Sequence, residues 1–228
     1  MKQIKIASTV GLLLLALVSN AQQLASRKYH VGDVDRYDIV VRADTSHGEL
    51  LQTSRLIQKV VKVYENGEAD IESSTSDVKA SLGGISAMIG DGKISTATAR
   101  FNKYGIPVMN GEVQGANTIY ANQYALLGIE NVKDIVLGKE FPIDEKKTGG
   151  NIKGKSKIVS VDGSTINVLS NFTVVAPSSQ EPMKLRSTSV LDYSNSRILK
   201  FELEILSGLP KVSAFQLDNF KITMTRLN

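Results

Sequence analysis

The residues that could do chemistry are few and scattered. There are two histidines, His30 and His47, and no cysteine, which removes thiol catalysis, cysteine-ligated zinc and disulfides together. A zinc site needs three or four convergent ligands. His47, between Asp44 and Glu49, offers one histidine on a predicted turn and reads as a solvated turn residue. His30 lies close to the N-terminal end of the predicted mature chain. No Gly-x-Ser-x-Gly elbow is present for serine–histidine catalysis. Asp33-Val34-Asp35 lacks the glycine and closing glutamate of a calcium loop and reads as the acidic lead-in to a strand. Gly83-Gly84 and Gly90-Asp91-Gly92 bracket the apolar Ile85 to Ile89 segment, without the lysine and serine that a phosphate loop requires next.

One set of motifs mimics the penicillin-recognising serine enzymes. Ser76 and Lys79 have Ser-x-x-Lys spacing, Lys147-Thr148-Gly149 follows, and Tyr193-Ser194-Asn195 resembles the third element. In that chemistry the serine opens a buried helix, which sets the lysine one turn away. Here Ser76 and Lys79 fall in a β-patterned stretch, where positions i and i+3 point to opposite faces. The motifs also run in the wrong order. An enzyme is therefore the third reading, and neither a cofactor nor a metal is expected.

The elements that must position any site are strands. Tyr37, Ile39, Val41 and Ala43 alternate with Asp38, Val40 and Arg42, the two-residue period of a half-buried strand. A turn at His47-Gly48 leads into a long strand from Leu50 to Tyr64. Asn66-Gly67 suits a tight hairpin, because its central residues must accept positive φ. Strands are expected at 69–79, 94–101 and 106–113, then 132–137 and 140–144. A second series covers 152–161, 165–175, 183–191, 197–206 and 220–227. The one helical pattern is Asn117 to Leu127, where Ile119, Gln123 and Leu127 share a face beside Tyr120 and Tyr124.

The first 21 residues read as a cleaved secretory signal. Lys2 and Lys5 are basic, Ile6 to Val18 is a 13-residue apolar run, and Ser19-Asn20-Ala21 ends it with small residues. A membrane span needs roughly 20 apolar residues, so no transmembrane segment is expected. Export to the periplasm or outside the cell, as a soluble protein without a lipid anchor, is the expectation. The remaining 207 residues can bury about 70% of their unfolded surface and need no disulfide. The pI of 9.1 overstates the charge: without Lys2 and Lys5, 25 basic residues face 23 acidic ones. No run of five like charges marks a nucleic-acid footprint or a polybasic membrane patch.

Residues 22–228 read as one β-rich domain whose halves, 28–129 and 130–228, repeat a pattern. Val31-Gly32-Asp33 matches Leu137-Gly138-Lys139, and the Asn66-Gly67 hairpin matches that at Asp162-Gly163. With the Gly-Lys-Glu-Phe-Pro segment at 138–142 and the aliphatic strand from Ile198 to Ile205, this layout resembles exported bacterial β-rich proteins of unknown function. It is similar to the half-open barrels of periplasmic lipoprotein carriers and lipid shuttles. The resemblance implies a mainly antiparallel β fold, either a curved half-open barrel or a two-sheet clamshell. It also suggests a lipid or other amphiphile as ligand.

The expected function is therefore non-catalytic binding, and the alternative is a structural or interaction module with a filled core. Strands such as Leu50 to Tyr64 and Arg197 to Leu206 carry apolar residues on both faces. An apolar cleft would be lined by Leu56, Val61, Val63, Ile198, Phe201, Leu203 and Met224. Tyr120, Tyr124 or the loop carrying Ile85, Met88 and Ile89 would close it.

Overall fold

The computed structural model describes residues 23–87, 95–108, 128–129, 132, 134–147, 150–175, 181–208 and 217–227. Eleven strands account for most of them: β1 (Val34–Thr45), β2 (Gly48–Val63), β3 (Ala69–Leu82), β4 (Ile85–Ala87), β5 (Ser95–Phe101), β6 (Glu140–Lys147), β7 (Gly150–Asp162), β8 (Thr165–Val175), β9 (Met183–Asp192), β10 (Arg197–Ser207) and β11 (Leu217–Arg226). The strands follow the alternation in the sequence. In β8, for example, Ile166, Val168, Ser170, Phe172 and Val174 are buried while the residues between them are more exposed. At the Asn66-Gly67 turn, Gly67 has φ +82° and Asn66 Oδ1 accepts the Glu68 N–H at 3.1 Å.

All pairs are antiparallel, and all eleven strands belong to one sheet. Its order is β4-β3-β2-β1-β11-β10-β9-β8-β7-β6, with β5 sharing the β3 edge with β4. The N-terminal series and the C-terminal series each pair strand to strand along the chain. They meet at a single seam, β1 with β11, in the register Tyr37 to Arg226 and Ile39 to Met224. The outermost strands do not pair, so the sheet is not closed. One sheet therefore replaces the two-sheet alternative: the seam carries the ladder straight from one series into the other.

Two further expectations change. The strand expected at 132–137 is absent from the described residues 132 and 134–137, where Lys139 N–H donates to Val136 O and closes a turn at Gly138 (φ +80°). The glycine-rich stretch after Leu82 begins with the short strand β4. No helix of the described residues is long and apolar enough to cross a membrane. The expected helix at 117–127 and the signal segment lie outside the described residues.

The core lies on one face of the sheet. Tyr37, Leu56, Phe201, Met224, Ile158, Ile166 and Leu191 are almost fully buried there. Leu24, Ile106, Ile129, Val132 and Ile135 belong to the same apolar cluster and come from segments outside the strands. The cover over this face is thus built at least in part from connecting chain.

Candidate functional site

The expected cleft residues that the structure describes divide into two groups. Leu56, Ile198, Phe201, Leu203 and Met224 come together in the main core cluster, with Leu56, Phe201 and Met224 completely buried. Register explains the meeting: Phe201 sits opposite Met224, and Met224 opposite Ile39. Val61 and Val63 do not join them. Val61 is the extra residue of a bulge between Val60 and Lys62, and both valines are more than one-third exposed. Ile85 stands at 77% exposure on the edge strand β4. Met88, Ile89, Tyr120 and Tyr124 lie outside the described residues.

At one end of the buried face sits a group that the sequence reading missed. Asp35, at the start of β1, has a side chain only 2% exposed. Its Oδ2 accepts a hydrogen bond from Arg27 Nη2. Its Oδ1 accepts from Arg226 Nε at 3.1 Å, with Arg226 Nη2 at 3.0 Å. Arg197 Nε stands 3.9 Å from the same oxygen, beyond hydrogen-bond reach. Three elements supply these arginines: the segment before β1, the start of β10 and the end of β11. The available signal was the phase of β1. Asp35 occupies the same alternate positions as Tyr37 and Ile39, so an acid had to be buried and needed partners.

Burial works to raise the Asp35 carboxyl, but the charge and hydrogen bond of Arg27, backed by Arg197 and Arg226, hold it below the usual carboxylate range. Burial opposes the charge on Arg27, yet Asp35 beside it holds that guanidinium above its ordinary value. Burial also pushes Tyr29 up to about 12 and raises Tyr37 further. Both tyrosines are therefore neutral near pH 7, leaving one negative and three positive charges. Arg27 also lies over the Tyr29 ring, 4.9 Å from its centroid, and Tyr29 donates its hydroxyl hydrogen to Asn102 O at 3.0 Å.

The segment carrying Arg27 is tied across both series. Ala25 N–H donates to Tyr193 O at 2.8 Å and Arg27 N–H to Lys103 O at 2.6 Å, while Ser196 Oγ donates to Ala25 O. The arginine cluster is thereby fixed between the segment and the sheet.

The motifs that mimic an enzyme do not converge. Ser76 and Lys79 are on β3, Lys147 ends β6, and Tyr193 to Asn195 form the β9–β10 turn. One premise needs correction. A bulge pairs Ser76 with Arg55 and Lys79 with Thr53, so Ser76 and Lys79 share a face of the strand. They still lack a helix to align them, and Ser76 Oγ donates to the Asp77 carboxylate at 3.3 Å. His30 faces Asp33 at the surface and His47 faces Ser46 in the β1–β2 turn. Among the described residues, no three histidine or carboxylate side chains are grouped to hold a metal.

No protein-family model and no curated protein matches the chain. Solved structures to which the chain is similar include a protein described as exported and of YmcC-like fold from Bacteroides fragilis (11% identity, 89% of this chain and 99% of that one, TM-score 0.36). A protein described as a lipoprotein, from Parabacteroides distasonis, is similar at 12% identity, 90% and 98% coverage and TM-score 0.36. A domain assigned to outer-membrane lipoprotein sorting in Vibrio parahaemolyticus matches at 9% identity, 89% and 86% coverage and TM-score 0.21. Likenesses of this strength carry nothing about activity or ligands.

Proposed function

We propose that this chain is an exported, non-catalytic binding protein. It would hold a lipid or another amphiphilic small molecule against the apolar face of a curved, half-open sheet. Export rests on the basic, apolar and small-residue sequence of positions 1–21. Binding rests on one observation. The face bearing Leu56, Ile198, Phe201 and Met224 belongs to an unclosed sheet, and connecting segments around Leu24, Ile106 and Ile129 pack on it. Connecting chain can move away from a sheet more readily than a second hydrogen-bonded sheet can, which gives an apolar chain a route in without global unfolding.

The second reading, an interaction module with a filled core, is favoured by the complete burial of Leu56, Phe201 and Met224. Phe201→Ala separates the two. In a filled core it costs about 3–5 kcal/mol of stability and nothing else. In a ligand-holding face it also weakens uptake of an apolar fluorescent probe, measured under conditions where the variant is folded. Probe uptake unchanged in folded Phe201→Ala would favour the filled core.

A further inference from the structure

We propose that Arg27, Arg197 and Arg226 form a binding site for an oxyanion, a phosphate or carboxylate, carried as the headgroup of the amphiphile. The proposal rests on the binding reading above. Its ground is the stoichiometry of the cluster. One arginine would neutralise Asp35, yet three converge on it. Among the described residues, Asp35 is the only carboxylate in ion-pair range of any of the three, so two positive charges remain uncompensated.

The donors are also unevenly used. Asp35 Oδ2 is taken by Arg27, and Oδ1 by Arg226. Arg197 Nε is buried and has no hydrogen-bond partner among the described residues. A buried donor left unpaired costs free energy that a bound acceptor would recover. Exposure then sets the direction of approach. Asp35 and Arg27 are interior, at 2% and 9%, while Arg226 and Arg197 are open at 24% and 32%. An approaching anion meets guanidinium first and the carboxylate last. Asp35 acts as the inner counter-charge that fixes the forks, and planar guanidinium forks match oxyanions bidentately.

The position suits an amphiphile. Arg226 lies opposite Tyr37 in the ladder, and Tyr37 opposite Leu56, so the charged end adjoins the buried apolar face. A headgroup at the arginines would leave its alkyl chain to run along the sheet.

Titration calorimetry of the mature chain with dodecyl phosphate, dodecyl maltoside and inorganic phosphate tests this. The expected result is at least about tenfold tighter binding of dodecyl phosphate than of the neutral maltoside, the scale of one charged hydrogen bond. Arg197→Gln and Arg226→Gln should remove that preference and leave maltoside binding unchanged. Arg197→Gln should melt close to wild type, since Arg197 makes no hydrogen bond to Asp35. Equal affinity for the two amphiphiles, or a preference that survives both substitutions, overturns the proposal and leaves the amphiphile reading standing. If neither amphiphile binds but inorganic phosphate does, and Arg197→Gln abolishes it, the oxyanion site stands with a free anion as its source. The amphiphile reading then fails.

Discussion

The two strand series open with the same hydrogen-bonded device and then diverge inside. In the first, Gly32 N–H donates to Val60 O, Asp33 N–H to His30 O, and Val60 N–H to Asp33 O, all within 2.9–3.0 Å. In the second, Gly138 N–H donates to Ile158 O, Lys139 N–H to Val136 O, and Ile158 N–H to Lys139 O, within 2.8–3.0 Å. Both glycines have positive φ, and both receiving strands bulge immediately afterwards, at Val61 and Val159. The two series thus share one backbone arrangement at their lead-in turns.

Two residues beyond each turn the two series part. One carries Asp35 with its arginines; the other carries Phe141 in the apolar cluster. The backbone device is built equally well over either interior. The same turn is thus compatible with a charged interior in one series and an apolar one in the other.

The largest expected effects come from emptying these two positions. Removing the Asp35 charge strands a buried arginine and should cost about 3–5 kcal/mol, and Phe141→Ala about as much; urea unfolding measures both. Acid tells them apart. The folded Asp35 carboxyl is held below its ordinary value of 3.8. Its contribution is therefore complete above that pH and lost as pH falls through the folded value. The gap between wild type and Asp35→Asn should narrow on acidification below about pH 4, while the Phe141→Ala gap shows no such titration.

A medium effect is expected at Gly154, the counterpart of Leu56. A Cβ there would lie 2.2 Å from Asn171 O and 2.6 Å from Phe172 Cα, both backbone atoms of the neighbouring strand. In the first series Leu56 faces the smaller Thr75; in the second series Gly154 faces Phe172. Gly154→Ala should cost about 1–3 kcal/mol by overpacking. A melt unchanged by Gly154→Ala would remove this exchange of large and small from the comparison.

An effect of the same order is expected at the buried serine pair Ser156 and Ser170, 2.7 Å apart, which occupies the place of Gln58 and Ser73. Either serine changed alone to Ala should cost about 1–3 kcal/mol, and both together less than the sum, because no hydroxyl is then left unpaired. Additive losses in this double-mutant cycle would contradict a paired role. The smallest effect is at the bulges, where Val61→Thr and Val159→Thr should stay within about 0.5 kcal/mol of wild type. A larger loss at Val61 would place it in a packed interior after all.

What was legible in the sequence was local. Alternation such as Tyr37, Ile39, Val41 and turns such as Asn66-Gly67 act over a few residues, and most strands follow them. The seam between β1 and β11 pairs residues nearly a chain length apart, so nothing local announces one sheet rather than two. The strand expected at 132–137 shows the converse: Val132 and Ile135 pack as cover with no ladder among the described residues there, while Val136 and Leu137 are exposed. Asp35 was read as a lead-in because its partners, Arg27, Arg197 and Arg226, come from three separate places in the chain. Val61 was misplaced by a bulge, which shifts the alternation by one residue and has no reliable signature in side-chain type.

The central claim is that the buried face holds an amphiphile, and native mass spectrometry of the mature protein tests it most directly. After delipidation and incubation with dodecyl phosphate, a one-to-one complex is expected, diminished in Arg197→Gln and in folded Phe201→Ala. A spectrum of ligand-free protein alone, at dodecyl phosphate concentrations that leave the chain folded, would contradict it.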